Sequence, residues 1–337
     1  YQCDWSSDVC SSDLLIMKKL FSIILATLFI SIGSAKAIDK DSNNDWSDID
    51  ILFLIWTAED VEFFVPSING AHDAAEDQGI SMYMEFGDSD TAKTNDIIET
   101  AIANGVDGIA MTVWDDDAFD EIVCKAMDAG IPVVLHNIDD SQRAKGNCRM
   151  AYIGQFFIET GQTLAERMIS EHGLKAGDHV FTPVEFPEAV YAVQRHEGVN
   201  NGITAMGGTT ELLGTGTDHS EALNIMVQYL LGHPETDAVI GLGSTPTSVA
   251  VRAVEEAGMD IPVGGYDITP EILDNIANGS LTATVDQQPY HQGFMSVTML
   301  AQYLKYGLLP ADMNTGGSGL VDKSNVESAF KWAGITR

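Results

Sequence analysis

Residues 108–135, GIAMTVWDDDAFDEIVCKAMDAGIPVVL, contain a strand, a helix and a second strand in one uninterrupted stretch. Gly108-Ile109-Ala110-Met111 is an apolar run of strand length. Phe119, Ile122, Val123, Ala126 and Met127 then recur at i, i+3, i+4, i+7 and i+8, which places them on one face of an α-helix. Gly130 stops that helix, and Pro132 opens the buried strand Val133-Val134-Leu135. Such units, joined by short Gly- and Pro-marked turns, imply a parallel sheet wrapped by helices.

The rhythm extends in both directions. Ile49-Asp50-Ile51-Leu52-Phe53-Leu54-Ile55 is nearly continuous in apolar residues, as expected of a parallel strand covered on both faces. Helices are predicted over 63–77 and 94–103, with a strand at Met82-Tyr83-Met84 between them. A second series opens at Ala151-Tyr152-Ile153. Its helices fall at 160–170, 189–201, 221–231, 247–257 and 270–277. Its strands fall at Val180-Phe181, Glu211-Leu212-Leu213, Ala238-Val239-Ile240, Val263-Gly264-Gly265-Tyr266 and Thr282-Ala283-Thr284-Val285. A helix over 293–305, a loop and a short strand at Gly319-Leu320-Val321 complete the series. Two consecutive series predict an α/β protein with two Rossmann-like lobes. No linker is rich in Gly, Ser or Pro, so the lobes are expected to sit close and move as a hinged pair.

The chain has 337 residues, 45% of them hydrophobic, enough for two cores. Met17-Lys18-Lys19, the apolar stretch 20–32 and Ser34-Ala35-Lys36-Ala37 have the parts of a secretory signal, with mature protein expected from about Ile38. An uncleaved anchor is the alternative, but the run is shorter than the ~20 residues that span a bilayer. No Cys follows the cut site, so a lipid anchor is not expected. Residues 1–16 precede the natural start and read as a non-native leader. Removing 1–37 takes away Lys18, Lys19 and Lys36 against Asp4, Asp8 and Asp13, so the net charge stays at −33. Such a surface repels nucleic acid and anionic lipid. Cys124 and Cys148 remain; whether they pair or Cys124 stays a free buried thiol is open at this level.

In open α/β sheets ligands bind beyond the C-terminal ends of the strands. After the first strand stand Trp56 and then Phe63-Phe64, which cannot both face the core because helix neighbours point about 100° apart. A sugar's C–H face stacks on such rings. After the third, Trp114 adjoins Asp115-Asp116-Asp117, with Asp117 suited to cap the next helix. The fourth strand ends at His136 and Asn137, one directed inward and one outward. In the second series Arg195 is one of only five arginines before the terminal one. Gly241-Leu242-Gly243-Ser244-Thr245 lets backbone approach a ligand, but lacks the Lys of a P-loop and the third glycine of a dinucleotide fingerprint. Asp267 follows a buried strand and can accept from vicinal hydroxyls, since Thr269 before Pro270 already fills the cap position. Gln287 offers an amide that donates and accepts. The eight histidines show no HxxxH spacing, and no CxxC or GxSxG occurs, so neither a metal, a cofactor nor an activated nucleophile is predicted.

The order of Phe63-Phe64, Gly130-Ile131-Pro132-Val133-Val134, Arg195-His196-Glu197-Gly198, Tyr266-Asp267 and Asp286-Gln287-Gln288-Pro289 behind a signal peptide resembles the type I periplasmic sugar-binding proteins of the ribose-binding class. The resemblance runs from about Ile49 to Asn325. It implies two lobes joined by three crossings near Tyr152, Gln287 and Thr315: 38–152 with 288–315, and 153–287 with 316–337. It implies sugar contacts at Phe63, Phe64, Asn137, Arg195, Asp267 and Gln287, with Trp114 and Ser244 bordering them. Val61, Asn137-Ile138 and Gly243-Ser244 stand where ribose binders carry Asn, Asp-Arg and Asn, which widens the expected ligand to a hexose, pentose, inositol or sugar alcohol. The implied protein is a non-catalytic periplasmic monomer that passes a neutral sugar or polyol to the permease of an ABC importer in the inner membrane. Rival readings are a ligand-sensing co-receptor for a membrane kinase or chemoreceptor, and a secreted α/β hydrolase.

Overall fold

A computed structural model describes residues 46–316 and 319–337. The leader and signal-peptide readings, 1–37, lie outside the described residues. The first run of elements is β1 (Asp50–Ile55), α1 (Val65–Gln78), β2 (Ser81–Phe86), α2 (Thr91–Asn104), β3 (Gly108–Met111), α3 (Asp116–Asp128), β4 (Val133–Asn137), α4 (Ala144–Asn147) and β5 (Ala151–Gly154). The second is α5 (Phe157–His172), β6 (His179–Val184), α6 (Val190–Ala205), β7 (Thr209–Gly214), α7 (His219–Gly232), β8 (Thr236–Ile240), α8 (Ser244–Glu256), β9 (Val263–Tyr266), α9 (Pro270–Asn278) and β10 (Ala283–Val285). The chain ends in α10 (Pro289–Tyr306), β11 (Met313–Asn314), β12 (Leu320–Asp322) and α11 (Val326–Trp332).

These strands form two six-stranded sheets, ordered β11-β5-β4-β3-β1-β2 and β12-β10-β9-β8-β6-β7. The paired strands run parallel, save β12, which is antiparallel to β10. Helices on both faces explain the apolar first strand: Ile51 through Ile55 are buried without exception. The strand at Ala151, read above as opening the second series, instead closes the first sheet, with Val134 paired to Ala151 and Asn137 to Gly154. Its outer edge is taken by β11, a two-residue strand that no apolar run announces. Asp312 fixes that strand by accepting from the Tyr152 N–H at 3.0 Å and from the buried Arg149 at 2.8 Å.

The chain passes between the two sheets three times: after β5, after β10 and after β11. Thus α10 follows a strand of the second sheet yet packs on α1 of the first. Two glycines permit that approach, since a Cβ on Gly70 or Gly293 would collide with the backbone of the facing helix. Cys124 of α3 forms a disulfide with Cys148, Cα atoms 5.0 Å apart, settling the question left open by the sequence. The cap of α3 is Asp115 and not Asp117, because the Asp115 carboxylate accepts from the Ala118 N–H at 3.1 Å while Asp117 lies inside the first turn. Thr269 caps α9 as expected, accepting from the Ile272 N–H. Among the described residues no helix is long and apolar enough to cross a membrane.

Candidate ligand-binding site

In both sheets the first strand of the run lies inside, flanked by its second and third, so each sheet has a topological switch beside β1 or β6. A cavity of about 840 Å³ is lined by residues following the strands at those ends. Trp56 to Ala58 follow β1, Asp88 and Ser89 follow β2, and Asn137 and Ile138 stand at the end of β4. From the second sheet come Glu185 after β6, Gly243 to Thr245 after β8, Asp267 after β9 and Gln287 after β10. The volume lies within the range typical of small-molecule sites.

Of the predicted residues, Phe63, Phe64, Asn137, Arg195, Ser244, Asp267 and Gln287 all line this cavity. Trp114 does not line it. Its indole packs against Trp56 and Phe119, ring centroids 5.3 and 4.4 Å away, and so supports a wall from behind. Phe63 and Phe64 meet edge to face at 4.9 Å, with Phe64 buried and Phe63 partly open. Of the pair after the fourth strand, His136 turns inward: it is buried, stacks on Phe53 and donates from Nε2 to the Leu54 carbonyl. Burial lowers its pKa to about 4, so it is a neutral core group.

Asn137 turns toward the cavity with φ of 67°, a left-handed conformation that asparagine tolerates better than most residues. Its amide donates to Gln292 at 3.2 Å and Gln287 at 3.4 Å. Gln287 in turn donates to the Asp267 carboxylate. Asp267, also at positive φ, is 6% exposed and lies 3.8 Å from Arg195 Nη1. Burial raises its pKa, while Arg195 and the Gln287 amide act in the other direction.

Arg195, 2% exposed, is the structural centre of the second wall. Its guanidinium carbon sits over the rings of Tyr266, Phe157 and Tyr191 at 4.3, 5.0 and 5.1 Å. Nη1 donates to the Leu242 carbonyl at 2.7 Å and Nη2 to Gln155 at 3.3 Å. Nε is buried and has no partner in the protein. Across the cavity the buried indole N–H of Trp56 is likewise unpartnered. Buried donors left without acceptors are uncommon; both atoms are closed off from water, so neither is presented at the cavity surface.

Sequence reasoning missed Glu185, an 8%-exposed carboxylate on the same wall. It accepts from the Thr245 N–H at 2.9 Å and from the Tyr191 hydroxyl at 3.1 Å. Gly243 makes room for it, because a Cβ there would collide with the carboxylate. Burial raises its pKa, the Thr245 N–H opposing. The available signal was its position one residue past β6. Backbone strain also gathers here: of the seven non-glycine residues at positive φ among the described residues, Asp88, Ser89, Asn137 and Asp267 line the cavity, and Gln288 adjoins it. Among the described residues no group of three or more His, Cys, Asp or Glu is arranged to hold a metal.

The family profile described as a periplasmic binding protein domain matches residues 51–308. The chain is 29% identical over 284 residues to the xylose/arabinose-binding protein XylF of Sulfolobus acidocaldarius, covering 79% of this chain and 69% of that protein. It is 27% identical over 278 residues to the ribose import binding protein RbsB of Bacillus subtilis, covering 81% of this chain and 89% of that one. Among solved structures it is similar, with TM-score 0.74 and 28% identity, to a carbohydrate transporter from Acidothermus cellulolyticus in complex with myo-inositol, covering 85% of this chain and 98% of that one. It also shares the fold, at TM-score 0.76 and 24% identity over 84% of this chain and 98% of that one, of a solute-binding protein from Burkholderia graminis in complex with D-arabinose.

Proposed function

The chain belongs to the periplasmic binding protein family, and we propose that it captures a neutral monosaccharide or polyol in the cavity between its sheets and delivers it to an ABC importer. The observation that carries this reading is chemical. One cavity collects buried carboxylates (Glu185, Asp267), an amide (Gln287), a guanidinium (Arg195) and aromatic side chains (Phe63, Phe64). Carboxylates and amides accept from hydroxyls, amide N–H groups donate to them, and the rings cover C–H faces. Together these replace the water around a guest that carries both hydroxyls and C–H faces.

The contacts come from both sheets, so a ligand that touches both favours the state in which they are close; binding is then a population shift about the three crossings. Lobe boundaries at those crossings, binding as a monomer, export by a cleaved signal and docking to a permease are parts of the same proposal. The family's members act as binding proteins, and no chemical step is assigned to this site. The test is a thermal-shift screen of the purified protein against pentoses, hexoses, inositols and alditols. A rise in Tm with one class, reproduced as saturable binding by calorimetry, supports the reading. No shift with any of them overturns it.

A further inference from the structure

The two walls of the cavity are chemically unequal, and from that asymmetry we infer that the ligand is an amphipathic sugar, a deoxy or otherwise hydroxyl-poor monosaccharide, held with its hydroxyl edge on the second sheet's strand ends. The inference rests on the sugar-binding reading and narrows its substrate class.

The wall from the first sheet is apolar where it is closed to water. Phe64 and Ile138 are each 3% exposed, and Trp56, Val61 and Phe63 continue the surface partly buried. Its interior hydroxyl and amide donors are already engaged, while the Asn137 Oδ1, with no donor among the described residues, is left as an acceptor. Both donor contacts of the Asn137 amide go to Gln287 and Gln292, and the Thr57 hydroxyl donates to the Ala58 carbonyl at 3.2 Å. The Trp56 indole N–H has no partner either, but it is closed off from water behind the wall. Glu62, Asp88 and Ser89 also border the cavity, but all three are exposed, and Asp88 is paired with Lys93 at 2.6 Å. They belong to the mouth.

The opposite wall has the reverse character. Glu185, Arg195, Thr245 and Asp267 are all buried there, and the Arg195 Nε has no partner. A ligand hydroxyl placed on that side finds carboxylate acceptors. The same hydroxyl placed against Ile138, Val61 and Phe64 loses its water and gains nothing. A methyl or methylene at that position buries apolar area instead. Apolar pockets discriminate by about 10- to 200-fold per methylene and by about 100-fold against an added hydroxyl, so a preference of about tenfold or more for the deoxy partner is expected.

The test is calorimetric titration of the mature chain with sugar pairs that differ by one oxygen: D-galactose and D-fucose, L-galactose and L-fucose, L-mannose and L-rhamnose, D-ribose and 2-deoxy-D-ribose. The expected result is one pair that binds, with the deoxy member tighter by about tenfold or more. If the fully hydroxylated member binds as well or better in every pair that binds, this inference fails and the sugar-binding reading stands. If no sugar or polyol binds, both fail. A second arm uses Val61→Asn, which sits at the cap position of the short turn Glu62–Phe64 with no side-chain cap of its own, where Asn is well tolerated. An amide added to the apolar wall should shrink the deoxy preference at least threefold; an unchanged ratio counts against the inference.

Discussion

Arg195→Met separates two roles that the guanidinium combines, neutralising buried carboxylates and shaping the wall of the proposed ligand cavity. Methionine is flexible and apolar, so it can follow the arginine stem between the rings of Phe157, Tyr191 and Tyr266. What disappears is the hydrogen bonding to the Leu242 carbonyl and to Gln155, and a buried positive charge beside Asp267 and Glu185. Orphaning a buried acceptor costs roughly 1–3 kcal/mol, and stripping a buried charge of its partner roughly 3–5 kcal/mol. A loss of about 4 kcal/mol in unfolding free energy is therefore expected at pH 8. The loss depends on pH, and its sign follows from proton linkage. Burial already raises the pKa of both carboxyls above their ordinary values, and Arg195 opposes the rise. Without it the folded state holds protons that the unfolded chain releases, so the variant is least penalised at acid pH and falls further behind as pH climbs. Urea melts followed by circular dichroism at pH 5 and pH 8 should show the deficit relative to wild type growing by at least 1 kcal/mol. Loss of the guanidinium that holds Gln155 and lies beside Asp267 in the cavity wall should weaken ligand binding about tenfold or more. A deficit independent of pH would refute the neutralising role, and unchanged affinity would refute the ligand role.

Two further outcomes are expected. Gly243 has an extended backbone (φ −160°), so Gly243→Ala adds no backbone strain but drives a methyl into the seat of the Glu185 carboxylate. Calorimetry should show about tenfold weaker ligand binding with the fold retained, and full affinity would remove Glu185 from the site. Asp140 is 1% exposed, its Oδ1 accepts from the Gln142 N–H and its Oδ2 has no partner; burial and the nearby Asp116 and Asp120 raise its pKa to about 7. Its folded pKa exceeds the unfolded value, so its contribution to stability is full below about pH 4 and lost as pH rises to about 7. Asp140→Asn should therefore gain roughly 1–3 kcal/mol at pH 8, under the ~4 kcal/mol that such a displacement represents, and nothing at pH 4. Parallel stability curves for the two proteins would contradict that.

Most of the architecture was legible because each element buries a face, and burial writes a period into the sequence. The elements that escaped do not. Strand β11 is two residues long and is held by Asp312 through Tyr152 and Arg149, contacts across 160 and 163 positions of chain that no local pattern records. The strand-end rule reached part of the candidate cavity, Asn137, Asp267 and Gln287 among its lining, while Arg195 sits inside α6, where that rule says nothing. Strand β6 illustrates the failure: Thr182 and Pro183 interrupt the apolar run, so the strand read as stopping at Phe181, while the backbone continues to Val184 and delivers Glu185 to the cavity. Trp114 shows the opposite error. It follows a strand end, but the neighbouring Trp56 and Phe119 rings take its faces before a ligand can.

Cavity and crossings share residues, and this links binding to movement. Arg195 lines the cavity and bonds Gln155, which lies in the first crossing. Gln287, in the second crossing, bonds both Asp267 of the second sheet and Asn137 of the first. Gln292 donates to the Gln287 carbonyl at 2.9 Å and to Thr315 at 3.1 Å, which brings the third crossing into the same buried network. The strained backbones of Asn137, Asp267 and Gln288 fall on this network rather than elsewhere in the two cores. Strain of this kind costs about 1–3 kcal/mol per residue and persists only where surrounding contacts fix it. A ligand that engages Arg195 and Asp267 therefore acts on side chains whose other contacts hold the crossings. Rotation of one sheet against the other has to rearrange the same hydrogen bonds, so the affinity of the pocket and the angle of the proposed hinge cannot be altered independently.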